Sequence, residues 1–496
     1  MATTITAPAS HGRTLRRFLR IISLLLTLLV AGIILLVVWF RHTAVSSLAQ
    51  MDGTIAVRGL QAPVQVVRDV HGVPHLKALS LHDLFFAQGY VTAQDRLWQM
   101  DLTRRAVAGE MAEVFPGGPA PAHRPSRVNG AATPAMSWVD YDKQQRILRL
   151  RSVADRVAGQ LSPRDRAFFD AYSAGVNAYI ARHKDNLPIE FHVLNYVPRP
   201  WTVSDSVLVG IGMSQLLNPQ YETEYRREKI GEILSPELMA DLYPTGSWRD
   251  HAPADDAGDA AKKTARTHHP LDSNGGKGAV ACASAGCLTS QTALALRAER
   301  SLLMLPPADP NCEACLPGSN DWVVSGAHTV TGKPLLSNDM HLPHRVPGVW
   351  YEAHLESGNF NVEGFTLPGV PFVIVGHNQR IAWGFTNLNP DVQDLFVESF
   401  NAQGEYQTPT GWQKPERVHE VIHVKGKPDV NFDVVITRHG PIVSSLFPGE
   451  TRQIAMQWLI YDTREIGIPL FDLDSAQNWE QFRKALSSFA TPSQNV

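Results

Sequence analysis

The stretch 251–310 constrains this chain more than any other feature, because it cannot join a core. From His251 to Gly286, Ala, Asp, Lys, Gly and Ser dominate and no apolar period persists. Such composition buries too little surface to offset the entropy of ordering, so it reads as a linker or spacer. The fold must then come from the two blocks on either side, and their periodicities differ. Upstream, Val64-Gln65-Val66-Val67-Arg68 alternates like a strand and runs into a turn over Asp69 to Pro74. Ser80 precedes Leu81 with Asp83 three residues on, a helix start close to a capping box, and the helix carries through Leu84, Phe85, Ala87 and Gln88 to Met100 and Ala106. Helical spacing then fills much of 140–245, broken at Pro198-Arg199-Pro200. Downstream, short apolar runs alternate with Gly and Pro: Trp322-Val323-Val324, Pro334-Leu335-Leu336, Phe372-Val373-Ile374-Val375, Arg380-Ile381-Ala382-Trp383 and Val434-Val435-Ile436. They read as strands of a layered sheet. Propensity alone gives mixed α and β.

Near the N-terminus, Ile21 to Phe40 is apolar apart from Ser23 and Thr27. A helix of about 20 such residues spans the ~30 Å hydrocarbon core. Arg13, Arg16, Arg17 and Arg20 precede the run and only Arg41 follows closely, so the positive-inside rule leaves the N-terminus cytoplasmic and exports the rest. A cleaved signal peptide ending near Ser47-Leu48-Ala49 is the rival, although the run exceeds the ~7–15 residues of a signal core. The expectation is a membrane-anchored protein facing the periplasm or exterior, with a secreted periplasmic form as the alternative. A net charge of −3 leaves no basic footprint for nucleic acid. Cys282, Cys287, Cys312 and Cys315 all lie between the two blocks. Outside the cytosol disulfides are the default, with three possible pairings, and a four-thiolate zinc site is the alternative.

At the mouth of the first downstream strand stands Gly318-Ser319. In isolation Gly-Ser-Asn is a turn. Cut between glycine and serine, it becomes a nucleophile carrying its own base, since an α-amine of pKa ~7.7–8.0 can take the hydroxyl proton. The surrounding blocks decide between these readings. Gly318-Ser319-Asn320-Asp321-Trp322-Val323-Val324-Ser325-Gly326 is followed by Gly332-Lys333-Pro334-Leu335-Leu336-Ser337-Asn338-Asp339-Met340-His341-Leu342. Then come Trp350-Tyr351-Glu352, Leu367-Pro368-Gly369-Val370-Pro371, Gly376-His377-Asn378 and Ile381-Ala382-Trp383-Gly384-Phe385-Thr386-Asn387. Upstream lie Gly72-Val73-Pro74-His75 and Gly89-Tyr90-Val91-Thr92-Ala93-Gln94-Asp95-Arg96-Leu97-Trp98-Gln99-Met100-Asp101. In this order, over roughly 62–245 and 316–496, they resemble the penicillin acylase (penicillin amidase) family of N-terminal-nucleophile hydrolases.

The resemblance implies an α+β fold, the four-layer αββα sandwich of that class, with Ser319 leading a central strand. Together with the apolar run near the N-terminus, it divides the chain into a cytoplasmic tip (1–18), a transmembrane anchor (19–41), a stalk (42–60), a mainly helical light-chain region (61–250), an excised spacer (251–318) and the first part of a heavy chain (319–496). Light and heavy chains associate after autocatalytic cleavage between Gly318 and Ser319. The implied activity is an acylase of the penicillin amidase type, hydrolysing the amide of an N-acylated small molecule such as a penicillin, an N-acyl homoserine lactone or an acyl peptide. Ser319 is the nucleophile, the backbone N–H of Asn387 an oxyanion donor, and His341 a hydrogen-bond partner of the seryl group. The second oxyanion donor in that family is an asparagine beyond position 496, so the sequence reads as C-terminally incomplete. Calcium is expected on Asp391, the carbonyl of Gln393, Asp394 and Glu224, with Glu222 as the alternative to Glu224; no organic cofactor is expected. Met213 and Leu217 fall near the light-chain wall of the acyl pocket, Leu342 and Val375 near the heavy-chain wall. These aliphatic residues favour an alkyl acyl chain over phenylacetyl. Gln94-Asp95-Arg96 and Arg104-Arg105 read as scaffold. Two rivals remain: a non-catalytic exported binding protein that keeps the fold, and a conventional serine hydrolase, against which stands the absence of a G-x-S-x-G elbow.

Overall fold

The computed structural model describes residues 11–115, 127–128, 131–132, 137–218, 220–243, 318–342, 346–388 and 390–496. The spacer up to 317, with its four cysteines, and the first ten residues lie outside the described residues. Helix α1, His11–Ser46, contains the one stretch among the described residues long and apolar enough to cross a membrane, and none of its apolar window is buried.

Helix α2, Leu81–Ala108, begins as its sequence asks: the Ser80 hydroxyl accepts from Asp83 N. The Asp83 carboxylate in turn accepts from the backbone of Gln61 and Ala62 at 2.9 and 3.0 Å, which fastens the chain before strand β1, Gln65–Arg68. The helix ends at Gly109, whose left-handed φ of 70° lets its N–H turn back to the last carbonyls. Helices α3 (Trp138–Ile147), α4 (Leu150–Gln160) and α5 (Pro163–Arg182) follow, then α6 (Ile189–Val193), α7 (Val203–Leu217) and α8 (Gln220–Gly231). Where α2 crosses α5, backbone meets backbone. A Cβ on Gly175 would stand 1.9 Å from the Phe86 carbonyl, and one on Gly89 2.1 Å from that of Tyr172. Only hydrogen fits at either position.

The start of α7 is fixed by charge buried inside this helical layer. Arg104 is fully buried; it donates to Asp101 through Nε at 2.9 Å and to Asp205 through Nη1 at 3.1 Å, and it lies over the Trp201 ring. Asp205 also closes a capping box with Thr202. An arginine that looked merely structural in the sequence therefore joins α2 to the helix that walls the site.

The two sequence blocks share one sheet. Strands β1 and β2 (Pro74–Lys77) come from the upstream block. After a two-residue pair, β3 (Arg127–Val128) and β4 (Ala131–Ala132), come β5 (Gly318–Val324), β6 (Leu335–His341), β7 (Tyr351–Ser357), β8 (Phe360–Thr366), β9 (Val375–Asn378), β10 (Ala382–Trp383) and β11 (Thr386–Asn387). Six of them form a sheet in the order β1-β2-β7-β8-β9-β10, antiparallel except for the parallel pair β2 and β7, in which His75 faces His354. Tyr351, Ala353 and Leu355 point into the core and alternate with half-buried Glu352, His354 and Glu356.

Two expectations change here. The run Phe372-Val373-Ile374-Val375 reads as one strand, but only Val375 enters β9. Phe372 sits at φ 79°, and Val373 N donates at 3.0 Å to the buried carboxyl of Asp474. The run is an apolar plug whose backbone is satisfied from far along the chain. Ser319, in turn, leads a strand with one neighbour: among the described residues β5 pairs only with β6, as a two-stranded ribbon.

Candidate active site

Register places the reacting groups on the ribbon. Gly318 stands opposite His341, Ser319 opposite Met340 and Asn320 opposite Asp339. Opposed residues in a ribbon share a face and successive pairs alternate. Ser319 and Met340 therefore face one side, and both line a cavity that opens to solvent. The peptide bond to Gly318 is intact, and the Ser319 hydroxyl donates to the Gly318 carbonyl oxygen at 2.6 Å. The hydroxyl already rests against the carbonyl whose carbon it must attack for the chain to cleave itself.

The cavity gathers most of the residues picked out in the sequence. Met213 and Leu217 come from α7, Leu342 from just after β6, Val375 from the start of β9 and Asn387 from β11. Phe169, Ile211, Trp350, Phe385 and Phe489 supply much of the remaining wall. The Asn387 side chain donates to the Leu217 carbonyl at 2.9 Å, so β11 is held against the end of α7. On its other side β11 pairs with the strand Gln494–Asn495. Leu388 N donates to Ser493 O across this pair, so the ladder runs through Leu388 and leaves the Asn387 N–H on the opposite side.

His341 is the exception. It lies on the other face of the ribbon, with Nε2 3.1 Å from Asp339 Oδ2 and 3.4 Å from the Asn320 amide. Its Nδ1 approaches Gly318, 3.3 Å from where a Cβ would stand there. In the uncleaved chain the imidazole therefore faces the glycine of the scissile bond, whereas the sequence reading gave it to the serine.

Sequence reasoning missed the residues that hold the two walls together. Asn338 donates to Phe385 O at 3.0 Å and accepts from Phe385 N at 3.2 Å, and a Cβ on Gly384 would stand 2.7 to 2.9 Å from Asn338 and Asp321. This interlock sets β11 beside β5. Burial raises the Asp321 carboxyl pKa, and its bond with Asn338 offsets the rise only in part. Both residues lay inside the quoted blocks, but no residue-level signal separated them from their neighbours.

Of the proposed metal ligands, Glu224 lies in the first half of α8, Gln393 and Asp394 open the strand Gln393–Glu398, and Asp391 just precedes it. Glu224 accepts from Leu395 N at 3.1 Å, and the Gln393 side chain accepts from Tyr221 N at 3.0 Å. Burial, followed by the charges of Asp394 and Asp391, raises the Glu224 pKa. The three carboxylates thus feel one another, which suits a hard cation. They do not close on a common point: among the described residues no three His, Cys, Asp or Glu side chains form a metal-holding group.

The penicillin amidase family model matches residues 63–496. This chain belongs to that family. It is 29% identical over 419 residues to the acyl-homoserine lactone acylase QuiP of Pseudomonas aeruginosa, covering 84% of this chain and 44% of that protein. It is 30% identical over 416 residues to the penicillin acylase 2 proenzyme of Pseudomonas sp. strain SE83, covering 82% and 46%. With the penicillin G acylase of Escherichia coli it shares 26% over 460 residues, covering 84% and 50%. The chain spans about half the length of the curated relatives it matches. A solved chain of the thermostable penicillin G acylase from Alcaligenes faecalis aligns at 30% identity and a TM-score of 0.31, covering 38% of this chain and 95% of that one. These relatives are named as acylases.

Proposed function

We propose that this family member is an amidohydrolase that cuts itself between Gly318 and Ser319 and then uses Ser319 to hydrolyse an N-acylated small molecule carrying an alkyl acyl chain. The observation that carries the reading is the convergence of Ser319, Asn387, Met213, Leu217, Leu342 and Val375 on one apolar cavity. In this mechanism the Ser319 hydroxyl attacks the substrate carbonyl and gives its proton to the Ser319 α-amine. The N–H of Asn387 steadies the oxyanion, and collapse releases the substrate amine with that proton. Water then opens the acyl-enzyme.

Maturation cannot use the same base, because in the precursor the α-amine is locked in an amide. In that earlier step the hydroxyl proton passes through water from Ser319 Oγ, as it attacks the Gly318 carbonyl carbon, to the departing Ser319 nitrogen, while His341 faces Gly318 from the other side of the ribbon. Water opens the resulting ester. A structural calcium at Asp391, Gln393, Asp394 and Glu224, and a membrane anchor in α1, belong to the same proposal. A rise of the melting temperature with added calcium tests the first, and retention of the native protein in washed membranes the second.

α7 supplies a scale for the acyl chain. Its cavity-lining residues run from Ser206 to Leu217, eleven steps or about 16 Å along the helix. An extended chain advances about 1.2 Å per bond, so a long alkyl group fits where phenylacetyl would leave space. Intact mass and N-terminal sequencing of the native protein test the whole reading. The expected result is a fragment beginning at Ser319, absent in Ser319→Ala together with amidase activity. One uncut chain in both proteins would sink it.

A further inference from the structure

Helix α1 meets the body of the protein at its C-terminal end. Its residues from Arg16 through His42 are exposed, whereas Thr43 is buried, and this end packs against α6, Ile189–Val193. The apolar run stops at Phe40 and Arg41 follows it. Thr43 stands three residues beyond the run, about 4.5 Å along the helix. A bilayer of ~40–45 Å with a ~30 Å hydrocarbon core leaves a polar layer of roughly 5–8 Å on each side. A bilayer entered by α1 therefore brings its headgroup layer level with α6.

The surface presented there suits that layer. Helix α6 runs into a turn over 192–197, and from Phe191 to Pro198 the chain carries no Asp, Glu, Lys or Arg. Val193 is 67% exposed and Val197 60%. Solitary exposed valines need no partner, but these two belong to a turn that the body holds from behind. The Tyr196 hydroxyl donates to Asp101 at 2.7 Å, Lys425 donates to the Leu194 carbonyl, and Trp98 packs edge-on against Phe191. The turn is thus preformed, and docking it orders little new chain. We propose that the turn 192–197 is a second point of attachment to the bilayer that α1 enters, with Val193 and Val197 set among its headgroups. The partner is that bilayer and not a separate protein, because the patch adjoins the end of α1. This rests on the anchor reading above and adds the orientation of the body to it. A single helix leaves the body free to swing over the membrane, whereas an adjoining apolar contact in the interface fixes which side faces the lipid.

Fluorescence quenching on the full chain in nanodiscs of phosphatidylcholine and phosphatidylglycerol tests the attachment without requiring turnover. A dye is clicked to an azidophenylalanine placed at Leu36, within the apolar run, or at His192, exposed beside the two valines. Nitroxide lipids labelled in the acyl chain or on the headgroup then report its depth. The expected result is quenching at 36 by acyl-chain nitroxides and at 192 by headgroup nitroxides. In the double variant Val193→Asp/Val197→Asp, quenching at 192 should be lost while quenching at 36 persists. Both valines are exposed, so the melting temperature of that variant should match the unaltered chain. Quenching at 36 without quenching at 192 overturns this inference and leaves the anchor standing. Quenching at 192 that survives the double variant also overturns it, since the valines then do not make the contact. Absence of quenching at 36 overturns the anchor reading and this inference with it.

Discussion

The α2–α5 crossing and the β5–β6 ribbon are both rich in apolar residues, yet they use them in opposite ways. At the crossing, Phe85, Leu84, Phe169 and Tyr172 are buried almost completely and two glycines bring the backbones into contact. On the ribbon, Trp322 is 54% exposed, Val323 72% and Leu335 59%, although this element carries Ser319. The helical layer holds its geometry by packing. The ribbon holds its place by a few polar interlocks, Asn338 with Phe385 and Asn387 with Leu217, around a close approach at Gly384. Reactive geometry therefore depends here on specific hydrogen bonds, and stability depends on the other block.

The first way to break this contrast is Gly175→Val, which drives side-chain atoms into the Phe86 carbonyl. Loss of more than about 4 kcal/mol, or failure to fold, is expected by thermal melting, because overpacking against backbone has no low-cost relief. Next comes Arg104→Met, which strips the guanidinium from buried Asp101 and Asp205. Asp101 keeps Arg105 and Asp205 keeps Arg151, so the expected loss lies at the lower end of the roughly 3–5 kcal/mol of a broken buried pair, read by denaturant unfolding. A smaller effect follows from pH. Burial pushes the Asp142 carboxyl from 3.8 up to about 7 while it accepts the N–H groups of Met111 and Ala112. A raised folded pKa favours the neutral form, so this contribution is present below pH 3.8 and is lost as pH rises through 7. Melting temperature should fall between pH 5 and 8, and that slope should flatten in Asp142→Asn. Smallest is Trp322→Ser, expected to change stability by no more than about 0.5 kcal/mol because the ring is exposed. A large loss there would mean that the ribbon, too, is held by packing.

Local chemistry in the sequence made some of this legible and hid the rest. The Ser80 cap, the helix from Leu81 and the apolar walls at Met213, Leu217, Leu342 and Val375 could be read because cap, period and motif position each leave a local mark. Nothing local showed that Phe372 and Val373 form a plug, because the carboxyl that satisfies Val373 sits 101 residues away. A continuous apolar run reports burial and not strand pairing. Likewise the motif placed His341 near the nucleophile, but only the register reveals which face of the ribbon it occupies.

The parallel pairing of β2 with β7 has a further consequence. It ties residues 75–77 to residues 354–356, on opposite sides of Gly318-Ser319. A cut at that bond would leave two polypeptides woven into a single sheet, unable to part without unfolding. Cleavage would then act as a ratchet: each pair of fragments stays with the partner it was synthesised with. Isotopically distinct cut molecules mixed under native conditions would keep their original pairs.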